Sequence, residues 1–481
     1  MSEPTSMSRL AASATSFGVV ALALGLVAQG VPQAVVGALP AQPEVMTASL
    51  VSAEAPVRQV VCAGPFLGFV QQETTPRGFG EPTVNLLGSE FEEVPLASEE
   101  LLDVYAGTEG KVAALPIYAE QAADAGFLAG SSASSIDTPF ARGYEASICQ
   151  TPASESWLVA GSTTTGRNSV VSLANPGSVQ AIVDLEIFGT TGVISAPGAR
   201  GILLQPGERR VFSLSGLAPD ESSPVIRIQS SGTPVTASLH VSLTRGLQPD
   251  GLDVATTQLP PSTTRIVTGL WLESEEQLGA VLGIEGYSDV GPILRLLSPE
   301  ADTSATISLV RPVNGDVSIG VELQAGRVFD VSLDELGQGW ASVRIDADEP
   351  IVAGIRHSSV GENKTDLAWV PSAHVIEGLG SVVLPRNIDA VLQMTSASDD
   401  SATVTFARVS DDGQTVLGQG SQTLNPGQFA TKGLGTQGGN YLFETTGPVA
   451  LSVALLEAGS IATLPVVAPP ANLPEVSVFA R

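Results

Sequence analysis

What most constrains this 481-residue chain is that it repeats itself. From Trp157 onward three stretches share one order of parts. The first runs SVVSLANPGSVQAIVDLEIFG, LLQPGERRVFSLSGL, SPVIRIQSSGTPVTASLHVSL and closes with VATTQLPP. The second runs ILRLLSPEADTSATISLVRP, ELQAGRVFDVSLDEL, ASVRIDADEPIVAGIRHS and closes with DLAWVPS. The third runs AVLQMTSASDDSATVTFARVS, TLNPGQFATKGL, NYLFETTGPVALSVALL and closes with IATLPVV. Gly207, Gly326 and Gly427 mark the same Leu-x-x-Gly turn. Each repeat is about a hundred residues long, the size of one β-sandwich. Within it the period is two: Ala181, Val183, Leu185 and Ile187 face one way, and Asp184 and Glu186 the other. Val225-Ile226-Arg227-Ile228 and Ser342-Val343-Arg344-Ile345 repeat that alternation with an Arg toward solvent. Turn chemistry of the Asn-Pro-Gly, Gln-Pro-Gly and Asp-Asp-Gly kind separates the runs. Short strands about 8 to 12 residues apart predict tandem immunoglobulin-like β-sandwiches. Only Leu270–Leu278 and Ala119–Ala129 carry a helical period beyond the N-terminus, which argues against βαβ nucleotide-binding folds.

Composition agrees with an all-β chain. Hydrophobic residues make up 43% and charged residues 15%, with 50 Gly and 33 Pro, too apolar for a disordered tail and too rich in helix breakers for a bundle. Net charge is 22 minus 50, or −28. Phosphate binding rests on clustered Lys and Arg, so no nucleic-acid partner is expected, and partners are expected to be neutral or cationic.

The N-terminus reads as an export signal. Leu10 to Pro43 carries no charge, Phe17 to Ala28 is almost purely apolar, and Arg9 precedes it. Residues 1–38 are expected to be a signal peptide or a single membrane anchor. Ala11 to Ala38 is long enough to span the membrane, and Val36-Gly37-Ala38 offers a cleavage site. A linker over 39–57 follows, then a first β-rich region over 58–156 and repeats over 157–262, 263–371 and 372–470. Residues 471–481 form a tail. Cys62 and Cys149 are the only cysteines, and an exported chain meets an oxidising compartment, so one disulfide is expected between them.

Residues that could carry chemistry are sparse. Glu90, Glu92, Glu93, Glu99, Glu100 and Asp103 form an acidic stretch without the Asp-x-Asp-x-Asp-Gly order that wraps calcium, and read as a solvated loop. Asp346, Asp348 and Glu349, before Pro350, are weak calcium candidates at what reads as a strand end. His240, His357 and His374 lie far apart in sequence and suit structural roles. Gly286-Tyr287-Ser288-Asp289-Val290-Gly291 has the wrong spacing for a nucleophile elbow. Gly433-Leu434-Gly435-Thr436-Gln437-Gly438 lacks the helix that a dinucleotide-binding loop opens, and reads as a flexible loop. Among Trp157, Trp271, Trp340 and Trp369 the core is the expected place, with Trp271 at a domain junction. No catalytic residue and no cofactor is assigned.

The succession Cys149-Gln150-Thr151-Pro152, Ser156-Trp157-Leu158-Val159-Ala160-Gly161-Ser162-Thr163-Thr164, Gly166-Arg167 and Val171-Ser172-Leu173-Ala174-Asn175-Pro176 resembles an uncharacterised family of exported, envelope-associated proteins of high-GC Gram-positive bacteria, defined by a domain of unknown function. The resemblance covers roughly residues 58–470, implies an envelope location and supplies no catalytic residues. The expected function is that of an exported, membrane-anchored, non-catalytic module at the extracytoplasmic face. It would serve adhesion or scaffolding by meeting an envelope polymer or protein. The alternative is a secreted carbohydrate-binding or wall-modifying hydrolase with its site in 58–156, drawing on Glu90, Glu92, Glu93, Asp103 and Asp124.

Overall fold

A computed structural model describes residues 48–51, 58–70, 75–88, 91–98, 104–105, 117–121, 127–311, 317–333, 337–362, 364–469 and 476–479. The chain forms two units. In the smaller, Ala48–Val51 pairs antiparallel with Val476–Phe479. The larger, within 53–474, is nearly all β. The signal or anchor expected over 1–38 lies outside the described residues. Among the described residues no helix is long and apolar enough to cross a membrane.

The region ahead of the repeats contributes a hairpin, Ala129–Asp137 with β1 (Arg142–Ile148). In the first repeat one sheet joins Glu155–Val159, Val225–Ser231 and Ala181–Gly189. The other orders Glu208–Ser213, Arg167–Ala174, Thr236–Arg245 and β2 (Gln248–Thr256). Alternation sends Val183, Leu185 and Ile187 inward against Leu158, Val171 and Leu239, all in one buried core. The second repeat copies the pairing with one change. Its β3 (Gly339–Val360) is a single 22-residue strand whose first half pairs with Ser262–Leu272 and Thr303–Val310, and whose second half pairs with Ile293–Leu297 and β4 (Thr365–Pro371). In the third repeat β5 (Val416–Leu424) is an outer strand, β6 (Gly439–Glu457) passes through both halves, and β7 (Ser460–Pro465) closes the repeat. The three Leu-x-x-Gly turns are alike in detail. Gly207, Gly326 and Gly427 have φ of 69°, 69° and 65°, a region that favours glycine, and Leu204, Leu323 and Leu424 are buried.

Both short helical expectations need correction. Leu270–Leu272 ends a strand; the helix is Glu275–Leu282, where Ser274 Oγ accepts from the Gln277 N–H at 3.2 Å and Glu275 and Glu276 suit the positive helix start. Around Ala119, the strand Ile117–Gln121 pairs with Arg58–Val61, so strand pairing overrides the local period.

Region 58–156 also carries features of the repeats. Its Gly143-x-Glu145, Gln150 and Pro152 match Gly251-x-Asp253, Gln258 and Pro260 in spacing. Its first strand also meets the second residue beyond its last strand, as in each repeat: Val61 pairs with Gln150, Trp157 with Gln258 and Ser381 with Val467, while Ala373 N–H donates to Ile266 O at 2.8 Å.

Candidate functional site

The closing strands β1, β2, β4 and β7 pack together inside the larger unit. β1 sends Ala146 and Ile148 into the core of the third repeat, and β4 sends Leu367 and Trp369 into that of the first. Where four strands meet edge on, backbone N–H groups need acceptors away from water. Asp366 on β4 supplies them. Its Oδ2 accepts from the Tyr144 N–H of β1 at 2.8 Å and the Ile461 N–H of β7 at 3.3 Å, and its Oδ1 from the Leu252 N–H of β2 at 3.1 Å. Asp250 accepts from the Thr365 N–H and hydroxyl at 2.9 and 2.5 Å, and Asp253 from the Trp369 N–H at 2.7 Å. Gly143, at the start of β1, has no room for a side chain: a Cβ there would lie 2.6 Å from Asp366 Oδ1.

Burial dominates the electrostatics. It raises Asp366 well above the ordinary carboxylate range, against the pull of its N–H donors. Burial also pushes Asp253 up to about 7, opposed by the N–H groups of Trp369 and Val254. Glu145 is raised well above its usual value by burial and then by the nearby Asp253 charge. It is fully buried and neither carboxyl oxygen has a hydrogen-bond partner. A charge so placed is costly, so burial favours the neutral form of Glu145.

Further polar side chains clamp the first region to the first repeat and the first repeat to the second. Gln150 accepts from the Thr257 N–H and hydroxyl at 2.9 and 2.7 Å and donates to Ala237 O at 2.8 Å. Its counterpart Gln258 accepts from the Ser372 hydroxyl and donates to Ala353 O at 3.0 Å. Arg295 of the second repeat pairs with Asp330 and donates to Gly161 O and Pro224 O of the first at 2.8 and 3.1 Å. Asp289, in the loop after the helix, receives Arg167, Arg245 and Arg356.

The residues singled out from sequence fall elsewhere. Cys62 and Cys149 are joined in a disulfide, next to the Val61–Gln150 pairing. Two cavities border it, each of about 10 Å³, room for one water. Asp346, Asp348 and Glu349 are not at a strand end but inside β3, where it passes between its two sets of partners. Asp346 is ion-paired with Arg344 at 2.7 Å and accepts from Thr264, and Asp348 accepts from Ser304 at 2.6 Å. Among the described residues no group of three or more His, Cys, Asp or Glu could hold a metal ion. Glu92 and Glu93 are exposed; Glu90, Glu99, Glu100, Asp103 and Asp124 lie outside the described residues. His240 and His357 are fully buried and accept through Nδ1 from the N–H groups of Leu67 and Trp271, and burial lowers His357 to about 4. Burial lowers His374 as well. Gly433 and Gly435 belong to the strand Phe429–Gly435. Two tryptophans sit at junctions: Trp157, stacked on Phe188 and packed with Leu297 and Val352 of the second repeat, and Trp369, buried in the core of the first. Trp271 instead meets Trp340 within its own repeat, ring centroids 4.8 Å apart.

Sequence reasoning missed Asp366, Asp250, Gln150, Gln258 and Arg295. The matched Gln-x-Pro endings of β1 and β2 were the one signal available in sequence.

Comparison with known families places the chain. The model of a family of unknown function, DUF5719, matches residues 104–428. The chain belongs to that family. Among curated proteins none matches it. The DUF5719 match begins within the region ahead of the repeats and includes β1 to β4, hence Asp366 and three of the four strands it joins.

Proposed function

We propose that this DUF5719 protein is an exported, membrane-anchored, non-catalytic module of the cell envelope. It is built of tandem immunoglobulin-like sandwiches and holds loops and sheet edges in fixed positions for an envelope polymer or protein. The observation that carries the reading is the Asp366 carboxylate, which accepts from strands of three other parts of the chain and so favours a fixed scaffold over hinged domains. The acids at this junction are occupied as acceptors or buried without a cleft beside them, whereas hydrolysis needs a carboxylate pair facing a cleft. The disulfide is in keeping with an oxidising compartment.

The test has two arms. Intact cells are treated with protease, and the native N-terminal peptide is then identified in membrane and supernatant fractions. The expected result is a membrane-held chain cleaved from outside; a chain protected in intact cells but cut after lysis would overturn the location. Purified full-length protein is then incubated with isolated cell wall and envelope proteins. Retention without soluble fragments is expected, and release of saccharide or peptide fragments would overturn the non-catalytic reading.

A further inference from the structure

One buried cation lacks a counterion. Arg209, in the strand Glu208–Ser213, is 2% exposed. Among the described residues no carboxylate pairs with it, and burial alone lowers it to about 10, so it stays charged at neutral pH. Its Nε donates to Ser172 Oγ at 2.9 Å, and its Nη2 is buried without a partner. These two nitrogens form one edge of the planar guanidinium, with parallel N–H groups suited to an anion. Arg295 and Arg344 show the use of that edge elsewhere in the chain: through Nε and Nη2 each grips both carboxylate oxygens of one acid, Asp330 and Asp346. Arg209 turns the same edge toward a serine.

That serine leads to a cavity. Ser172 lies opposite Ser238 where Arg167–Ala174 pairs with Thr236–Arg245, on the side of the sheet away from the core that holds Val171, Leu173 and Leu239. Both serines line the cavity beside Cys62. His240 Nδ1 accepts from the Leu67 N–H at 3.1 Å, so the neutral ring carries its proton on Nε2 and donates to Ser238 Oγ at 3.3 Å. Ser172 Oγ likewise accepts from Arg209. Each serine therefore keeps its own proton to give, and among the described residues neither finds an acceptor. Gln150, also on the cavity wall, has its Oε1 committed to Thr257 and its Nε2 to Ala237 O.

We infer that this cavity binds a small monovalent inorganic anion, of which chloride is the type, held by Arg209 and the hydroxyls of Ser172 and Ser238. Donor type and charge select the occupant. Arg209, Ser172 and Ser238 all have protons to give, and a water among them would leave its own protons unplaced and the Arg209 charge uncompensated. Size sets the other limit: about 10 Å³ admits one atom, so phosphate, sulfate and carboxylates are excluded. The chain's net charge of −28 does not oppose the ion here, because among the described residues none of its acids acts on Arg209.

The experiment is thermal unfolding of the full-length chain in non-ionic detergent at constant ionic strength, with chloride replaced stepwise by gluconate, an anion too large for the cavity. An ion bound only to the folded state raises stability with the logarithm of its concentration. Wild type is expected to melt higher with each tenfold rise in chloride, and Arg209→Met to show no such rise. Met keeps an apolar stem and removes the charge, an exchange that buried sites commonly tolerate. The double variant Ser172→Ala, Ser238→Ala leaves the cation in place and is expected to need about tenfold more chloride for the same gain, the worth of roughly one hydrogen bond to an ion. General effects of gluconate are common to all three proteins and drop out of the comparison. A wild type that responds to chloride no more than folded Arg209→Met does would overturn the inference. If Arg209→Met does not fold, a serine variant that matches wild type at every chloride concentration would overturn it, since the ion would then bind elsewhere.

Discussion

Asp366 holds three strands besides its own. Truncation by Asp366→Ala leaves several buried N–H groups without an acceptor, an expected loss of about 3–5 kcal/mol by denaturant titration, with Asp366→Asn milder because its carbonyl still accepts. Asp253 gives a test in pH. Its folded-state value of about 7 lies above the ordinary 3.8, so the folded state binds the extra proton between those values. The stability this proton contributes is complete below about pH 4 and lost as pH rises through 7. Asp253→Asn should therefore gain on wild type from pH 4 to pH 7, by up to a few kcal/mol, in thermal melts at matched ionic strength. An equal gap at both ends would show that Asp253 does not titrate in this window. His357 runs the other way. Burial lowers it to about 4, so its stability is present above about pH 6.5 and lost as pH falls through 4. Asp366 was illegible in sequence: its donors lie 222, 114 and 95 residues away, and no local pattern reports them.

The turns were legible and the long strands were not. Leu-x-x-Gly works because it needs a buried anchor and a positive φ within four residues, both local demands. At Gly326 the nearest atoms to an added Cβ are 3.9 Å away, so Gly326→Ala meets backbone strain alone and should cost about 1 kcal/mol in a chemical melt. β3 misled because Asp346-Ala347-Asp348-Glu349-Pro350 has the composition of a turn. The strand continues because the ladder to Ser262–Leu272 jumps there from Asp346 to Ile351, and a proline can sit where that ladder asks for no N–H. The likeness of the hairpin ending in β1 to the repeats was hidden for another reason. The hairpin shares only a few spaced residues with the repeats, fewer than a search for self-similarity can separate from chance.

Across the whole molecule, the three-part repetition and the β character could be read from alternation and turn chemistry, whereas the joining of the parts could not, because it rests on single polar side chains. The disulfide ties Arg58–Val61 to the end of β1 across a separation of 87 residues, a loop whose closure is worth about 4 kcal/mol in the chain-entropy model. Replacing Cys62 and Cys149 by Ser should speed hydrogen exchange in 58–148 while Ala181–Gly189 keeps its protection. Uniform acceleration would mean that the repeats depend on that link throughout. The packing of β1 also sets an order in time. A chain is made from its N-terminus, yet Ala146 and Ile148 of β1 are buried with Leu392, Leu451 and Leu464 of the last repeat. The hairpin that ends in β1 thus leaves the ribosome ahead of the strands it packs against, and it gains its final seat only after the third repeat has followed, leaving its apolar face open to chaperones until then.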